Sequence, residues 1–273
     1  MTFEQKLKVL DSKTFNNATF EVIEMDSLDG AKSAGMAMQL YFAKQQGLKM
    51  RQVRITLNGA AIKTEAGALY YHFGRIVSRT NAGGVGGFIG KSIKGALTAE
   101  SGIKPEYGGE GVVYLEPSFS HYLIVTLENE SIIVDKSLFY CCNSEIQVEP
   151  FMQRNVSSAV LGGEGLFQLK LTGTGVAVLE IPVPVSEIQE IMLYPGQTLK
   201  VDGNFAIMRD ATVNFEVTRS DKTLIGSAVN GEGLLNSFST QTSGKVFLAP
   251  TAPLYSKMAM GIPITNAGSN NRQ

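Results

Sequence analysis

The stretch "LFQLKLTGTGVAVLEI", residues 166–181, decides the fold class. Phe167, Leu169 and Leu171 fall two apart, which puts them on one face of an extended strand. Gly173 and Gly175 follow, and beyond them Val176 and Val178 again fall two apart. Glycine supplies the positive φ that a tight reversal needs, so the spacing predicts two strands joined by a glycine hairpin. No 3.6-residue helical period is sustained here.

Outward from it, related segments line up. "LTAESGIKPEYGGEGVVYLEP" starts at Leu97 and "VNGEGLLNSFSTQTSGKVFLAP" at Val229. The acids Glu100, Glu164 and Glu232 fall in register, as do Gly111, Gly175 and Gly244. Leu115, Leu179 and Leu248 each come four residues after their glycine. A second shared pattern precedes each of these: "ITLNGAAIKTEAGALYY" from Ile55, "VTLENESIIVDKSLFYC" from Val125 and "IMLYPGQTLKVDGNFAIM" from Ile191. There Leu57, Leu127 and Leu193 match, and so do Glu65, Asp135 and Asp202. A register held over so many positions implies a threefold internal duplication. The copies run over about 51–120, 121–187 and 188–253, behind an N-terminal arm (1–50) and before a polar, partly disordered tail (254–273). Short alternating runs with turns between them predict an all-β sandwich or barrel packed as one domain. In the arm, "FEVIEM" (20–25) alternates, and "MAMQLYFAKQQG" does so at Met36, Met38, Leu40 and Phe42, which favours a strand over a short helix. The arm is expected to cover an edge of the first copy.

The connection "RTNAGGVGGFIGKSIKGALTAE" (79–100) imitates a phosphate-binding loop because it contains Gly90-Lys91-Ser92. That motif needs a glycine five places before Gly90, and the residue there is Val85. The corresponding connections of the other copies are shorter, so 81–95 is an insertion. Phe88, Ile89 and Ile93, with Lys91 and Lys94, could form an interaction tip for a membrane surface or a protein partner. The competing reading is a turn with Phe88 and Ile89 as packing anchors. Glu100, Glu164 and Glu232 read as turn residues accepting local backbone hydrogen bonds, with a shared cation site as the alternative.

Other chemistry finds little support. Asp135 after "SIIV" resembles a nucleotide-binding acid, but its counterparts Glu65 and Asp202 have no glycine loop. His121 sits near Glu116, Ser118 and Ser120 without a nucleophile elbow. His72, in "YYHFG", reads as a strand residue. Cys141 and Cys142 are adjacent, which is neither a disulfide framework nor a zinc spacing, and fits a reducing compartment. Catalytic residues, metal ligands and cofactors are therefore expected to be absent. The run Lys44, Lys49, Arg51, Arg54 lacks interleaved aromatics and the net charge is −1, so nucleic acid is not an expected partner. No window reaches the roughly 18 apolar residues of a spanning helix. "MTFEQKLKVLDSKTF" has no signal-peptide core.

"LTAESGIKPEYGGEGVVYLEPSFSHYLIVTL", "VLGGEGLFQLKLTGTGVAVLEI" and "DGNFAIMRDATVNFEV" with the later "VNGEGLL" resemble the Altered Inheritance of Mitochondria protein 24 family over roughly residues 50–250. The resemblance implies a fold like that of the tryptophan RNA-binding attenuation protein, a double-stranded β-helix with jelly-roll-like sheets built from three repeats. It brings no established catalytic residues. Mitochondrial members are associated with inner-membrane organisation, a role not carried over because the chain opens on no targeting presequence. The expected function is a non-enzymatic scaffold or binding protein, cytoplasmic or peripheral at the inner face of a membrane, and self-associating, with no known small-molecule substrate. An RNA- or small-ligand-binding protein of the attenuation-protein type is the alternative, and a hydrolase comes third.

Overall fold

The computed structural model describes residues 7–78, 104–152, 167–219 and 234–261. The fold is all-β, with fifteen strands and two helices among these residues. The chain divides into two compact units, one comprising Met1–Phe151 with Phe167–Ile181, the other Met152–Leu166 with Pro182–Gln273.

In the first unit, strands β1 (Leu7–Phe15) and β2 (Ala18–Met25) form a hairpin across Asn16 and Asn17. Both asparagines have positive φ (42° and 62°), as a type I′ turn requires. β2 then pairs with β3 (Arg51–Thr64) from Ala18↔Leu57 to Glu24↔Arg51. On its other side β3 pairs with β5 (Glu106–Leu115), and β5 with β4 (Leu69–Ser78). The resulting antiparallel order is β1-β2-β3-β5-β4. The far end of β3 meets β7 (Phe139–Asn143), which pairs with β9 (Phe167–Ile181), which pairs with β6 (His121–Asp135). β8 (Gln147–Met152) also lies against β9. Phe20, Val53, Ile55, Leu57, Ile62, Val113, Leu115 and Val178 form the core between these strands. Each large aliphatic or aromatic side chain so buried contributes about 1.5–3 kcal/mol.

The glycine hairpin expected within 166–181 is not there. β9 runs unbroken through Gly173 (φ 135°) and Gly175 (φ 149°), and the irregularity lies opposite, where Asn129 (φ 59°) is bulged out of β6. A bulge changes which residues face inward without reversing the chain. Leu169 and Leu171 are buried before it, and Val176 and Val178 after it. β3 shows the same device, with Gly59 (φ 85°) bulged between Asn58 and Ala60. In both strands a buried leucine faces a glycine just before the bulge: Leu57↔Gly111 and Leu127↔Gly175.

A second expectation fails in the arm, where residues 34–45 form helix α1 (Ala34–Gln45) rather than a strand. Its sequence, AGMAMQLYFAKQ, has no β-branched residue and is rich in strong helix formers. The Ser33 side chain caps the start by accepting from Met36 N at 3.2 Å. Gly47 (φ 67°) ends the helix, with its N–H donating to Lys44 O at 3.1 Å. The alternation of Met36, Met38 and Leu40 carries less weight than these caps.

In the second unit, β15 (Gly244–Leu248) pairs with β10 (Gln189–Leu193) and β12 (Ala206–Asp210). A three-stranded sheet has the order β11 (Thr198–Val201), β14 (Leu234–Thr240), β13 (Val213–Arg219). Leu193, Val213, Phe215, Phe238 and Val246 are core residues of this unit. Leu193 faces Gly244, again leucine opposite glycine. Here the chain then turns through Gly196 (φ 83°) rather than bulging. Helix α2 (Ala252–Ala259) follows, with Tyr255 Oη donating to Glu187 at 2.9 Å.

Candidate functional site

The candidates of the glycine-rich insertion, Phe88, Ile89, Lys91, Ile93 and Lys94, lie outside the described residues, and so do Glu100, Glu164 and Glu232. What is described is where their connections attach. Residues 79–103 leave β4 and return to β5, its paired neighbour, with Ser78 opposite Tyr107. Residues 153–166 join β8 to β9, and 220–233 join β13 to β14, where Arg219 faces Leu234. All three acids therefore sit in chain that links neighbouring strands. At the return into β5, Lys104 forms an ion pair with Glu65 and lies 4.9 Å from the centre of the Phe139 ring.

In sequence, β4 shows "YYHFGRIVS", consistent with a strand around His72. Its structure offers more. Tyr70, Tyr71, Phe73 and Val77 are 46–58% exposed. Tyr71 stacks on Tyr114 of β5 with ring centres 4.5 Å apart, and burial raises its phenol above the ordinary value, with Tyr114 adding to the shift. Arg75 pairs with Glu110 across the strands. Gly74, Gly109 and Gly111 bring the two backbones close: a Cβ on Gly109 would lie 1.9 Å from Arg75 O. β4 is hydrogen-bonded to β5 on one side and has no strand on the other among the described residues. Alternating Tyr71, Phe73 and Val77 in a segment whose single charged residue is Arg75 was the available signal.

The segment "YLEPSFSHY" is a structural corner. Ser118 exchanges backbone hydrogen bonds with Arg51 at 2.7 and 2.9 Å, and its hydroxyl meets Tyr122 Oη at 2.8 Å. Tyr140 Oη donates to Glu116 O at 2.8 Å. Burial pushes both phenols up, Tyr140 the further. The Ser118 side chain is thus used in the corner, where Ser120 N also donates to its Oγ. Asp135 accepts from Ser137 N at 2.9 Å and from its hydroxyl at 2.7 Å, a turn role. Three of the run of basic residues are paired with acids: Lys49 with Asp26, Arg51 with Glu24 and Arg54 with Glu21. Among the described residues no group of three or more His, Cys, Asp or Glu is placed to hold a metal ion, and no helix is long and apolar enough to cross a membrane.

Cys141 and Cys142 are free and fully buried in β7. Burial pushes the Cys142 thiol from 9.0 up to about 12, with Lys63 and Lys104 pulling the other way, and it holds Cys141 well above its ordinary value. A thiol whose folded-state value is raised contributes stability in full below its unfolded value, and that contribution is lost as pH rises from there towards the folded value. Stability is therefore expected to fall between pH 9.0 and about 12, and Cys142→Ala should flatten the fall. Urea melts at stepped alkaline pH test this, and equal slopes for the two proteins would refute it.

The family model described as Mitochondrial biogenesis AIM24 matches residues 42–251. The chain belongs to this family. The match takes in both units, β3 through β15. Among solved structures, the fold is similar to the crystal structure of protein SPYM3_0169 from Streptococcus pyogenes, with a TM-score of 0.54 at 17% identity over 79% of this chain and 95% of that one. At that identity the likeness is one of fold. No curated protein matches the chain significantly.

Proposed function

We propose that this AIM24-family chain is a non-enzymatic scaffold or binding protein that works by associating with copies of itself through the β4 edge. One observation carries the reading: β4 is a ten-residue edge strand without proline whose outward side chains are mostly aromatic or aliphatic. Strand edges of this kind pair with other chains unless charge, proline or a bulge blunts them. β4 carries one charge, Arg75, and one irregularity, at its start between Leu69 and Tyr71, whereas the opposite edge, β1, is the more blunted, with Lys8, Asp11 and Lys13 along it and a bulge between Val9 and Asp11. The smaller charge on β4 supports it as the edge that pairs. A cytoplasmic setting, where Cys141 and Cys142 stay reduced, accords with this.

Three tandem copies in a double-stranded β-helix are part of the same proposal. The support is the pairing of Leu57 with Gly111, Leu127 with Gly175 and Leu193 with Gly244. An RNA-binding reading has less to rest on, since Arg54, Arg75, Arg51 and Lys49 are each engaged by a carboxylate. A hydrolase reading has less support, since the Ser118 hydroxyl is engaged with Tyr122 Oη.

Light scattering tests the proposal. The wild type is expected to exceed the 29.4 kDa of one chain, and Phe73→Lys with Val77→Lys, both at exposed positions, to return it to that mass with an unchanged circular dichroism spectrum. A wild type that is monomeric at all concentrations, or an oligomer untouched by the substitutions, sinks the reading.

A further inference from the structure

Helix α1 raises a separate question, because it has no buried residue. Helices of about 12–15 residues are marginal alone in water and take most of their stability from packing, yet α1 has twelve residues. It stands at the tip of a hairpin excursion between β2 and β3. The base of that excursion is tied by Met25 N donating to Met50 O at 2.9 Å and by the Lys49–Asp26 pair. Leu40 and Ala43 are half-buried. Met38, Tyr41 and Phe42, at the i, i+3, i+4 spacing of one helix face, are 58–60% exposed. These apolar side chains are therefore turned outward, and Met36, on another side of the helix, is exposed as well.

The charges say what covers these side chains. α1 and its flanks from Gly30 to Met50 carry no Asp or Glu; the excursion's two acids, Asp26 and Asp29, lie at its start, Asp26 beside Lys49. Lys32 and Lys44 stand at the two ends of α1, and among the described residues no carboxylate forms an ion pair with either. A second α1 laid antiparallel on this face would bring the Lys32 of one copy beside the Lys44 of the other, like charge on like. An anionic bilayer fits the exposed apolar residues and the two lysines together. Phe42 and Met38 enter the acyl boundary, the Tyr41 ring stands at headgroup level, and the lysines reach lipid phosphates along their aliphatic stems.

We infer that α1 is an in-plane anchor for an anionic membrane surface, seated through Met38, Tyr41 and Phe42 with Lys32 and Lys44 on the headgroups. The inference is independent of self-association at β4, although oligomers would bind more tightly by presenting several anchors.

Flotation of the full chain with vesicles of phosphatidylcholine, alone or mixed with phosphatidylglycerol, is the test. Binding is expected to the mixed vesicles and to weaken with salt. Met38→Glu and Phe42→Glu should each lower the vesicle partition coefficient about tenfold or more. Lys32→Gln and Lys44→Gln should each lower it about fivefold. Both glutamate positions are exposed, so the fold is expected to persist, as circular dichroism would show. Failure to bind mixed vesicles overturns the inference, as does binding that survives the glutamate variants. Loss of an oligomer in those variants without any lipid binding overturns it in favour of a second copy. The Phe73→Lys, Val77→Lys protein separates this from the edge-strand proposal, because as a monomer it should still bind mixed vesicles.

Discussion

Gly111→Ala is expected to destabilise the first unit by about 3 kcal/mol and to lower its unfolding midpoint by roughly 6–12 °C. Two costs combine. At φ 154° an L-residue is strained, which costs about 1–3 kcal/mol. In addition, a Cβ there would lie 2.2 Å from Phe73 O and 3.0 Å from Gly74 Cα. Both are backbone atoms of β4, so relief requires the edge strand to move away from β5. Gly175 carries the first cost alone. Its φ is 149°, but its Cβ would meet only the Asn143 side chain, at 3.1–3.4 Å. Asn143 can shift by a few tenths of an ångström, although its Oδ1 accepts Val176 N at 2.8 Å and resists a larger move. Gly175→Ala should therefore cost only the strain, about 1–3 kcal/mol. Thermal melts of the two variants beside the wild type make the comparison. If both lose the same stability, the close approach of β4 to β5 contributes nothing. Because Gly111→Ala displaces the proposed pairing strand, it should also weaken self-association, whereas Gly175→Ala should leave it intact.

The same glycines show how far the sequence could be read. Alternation at Leu169 and Leu171, then at Val176 and Val178, was enough to identify strands and a buried face. It could not distinguish reversal from a bulge, because glycine permits both and the choice lies with the partner strand. Asn129 on β6 makes that choice, and it lies far from Gly175 in the chain. The Asn16-Asn17 turn is a local signal, and its φ values follow the rule for two-residue hairpins. Helix α1 was misread for a physical reason: apolar residues on nearly every side blur the difference between periods of two and of 3.6. Ser33 and Gly47, its caps, held the missing information. The surface candidates divide similarly. The inserted glycines drew attention because they imitate a motif. The exposed Tyr71 and Phe73 resemble ordinary strand residues until the topology shows β4 at an edge, and edge status depends on long-range pairing that no local pattern encodes.

Phe139→Ala should have the larger effect of the two stability tests, about 3–5 kcal/mol. The ring is 2% exposed, and its residue pairs with the fully buried Leu179. Truncation leaves a cavity, and it also strips the Lys104 ammonium of the ring it lies over at 4.9 Å. The Lys104 side chain is only 7% exposed, so water replaces that ring poorly and the cation relies on Glu65 alone. Phe139→Leu keeps most of the volume and should cost about 1–2 kcal/mol. A double-mutant cycle of Phe139→Leu with Lys104→Met separates packing from the cation–ring contact, with a coupling of about 0.5–2 kcal/mol expected. Strict additivity would show that the ring acts by volume alone. The cycle bears on the glycine-rich connection as well. Lys104 holds the chain where it enters β5, beside the bond from Thr64 N to Pro105 O at 2.9 Å. Faster hydrogen exchange at the Thr64 amide in Phe139→Leu, beyond that of the strands around it, would show that the Phe139–Lys104–Glu65 clamp anchors the return of that connection into the sheet. Unchanged protection there would mean that the strand register alone holds it.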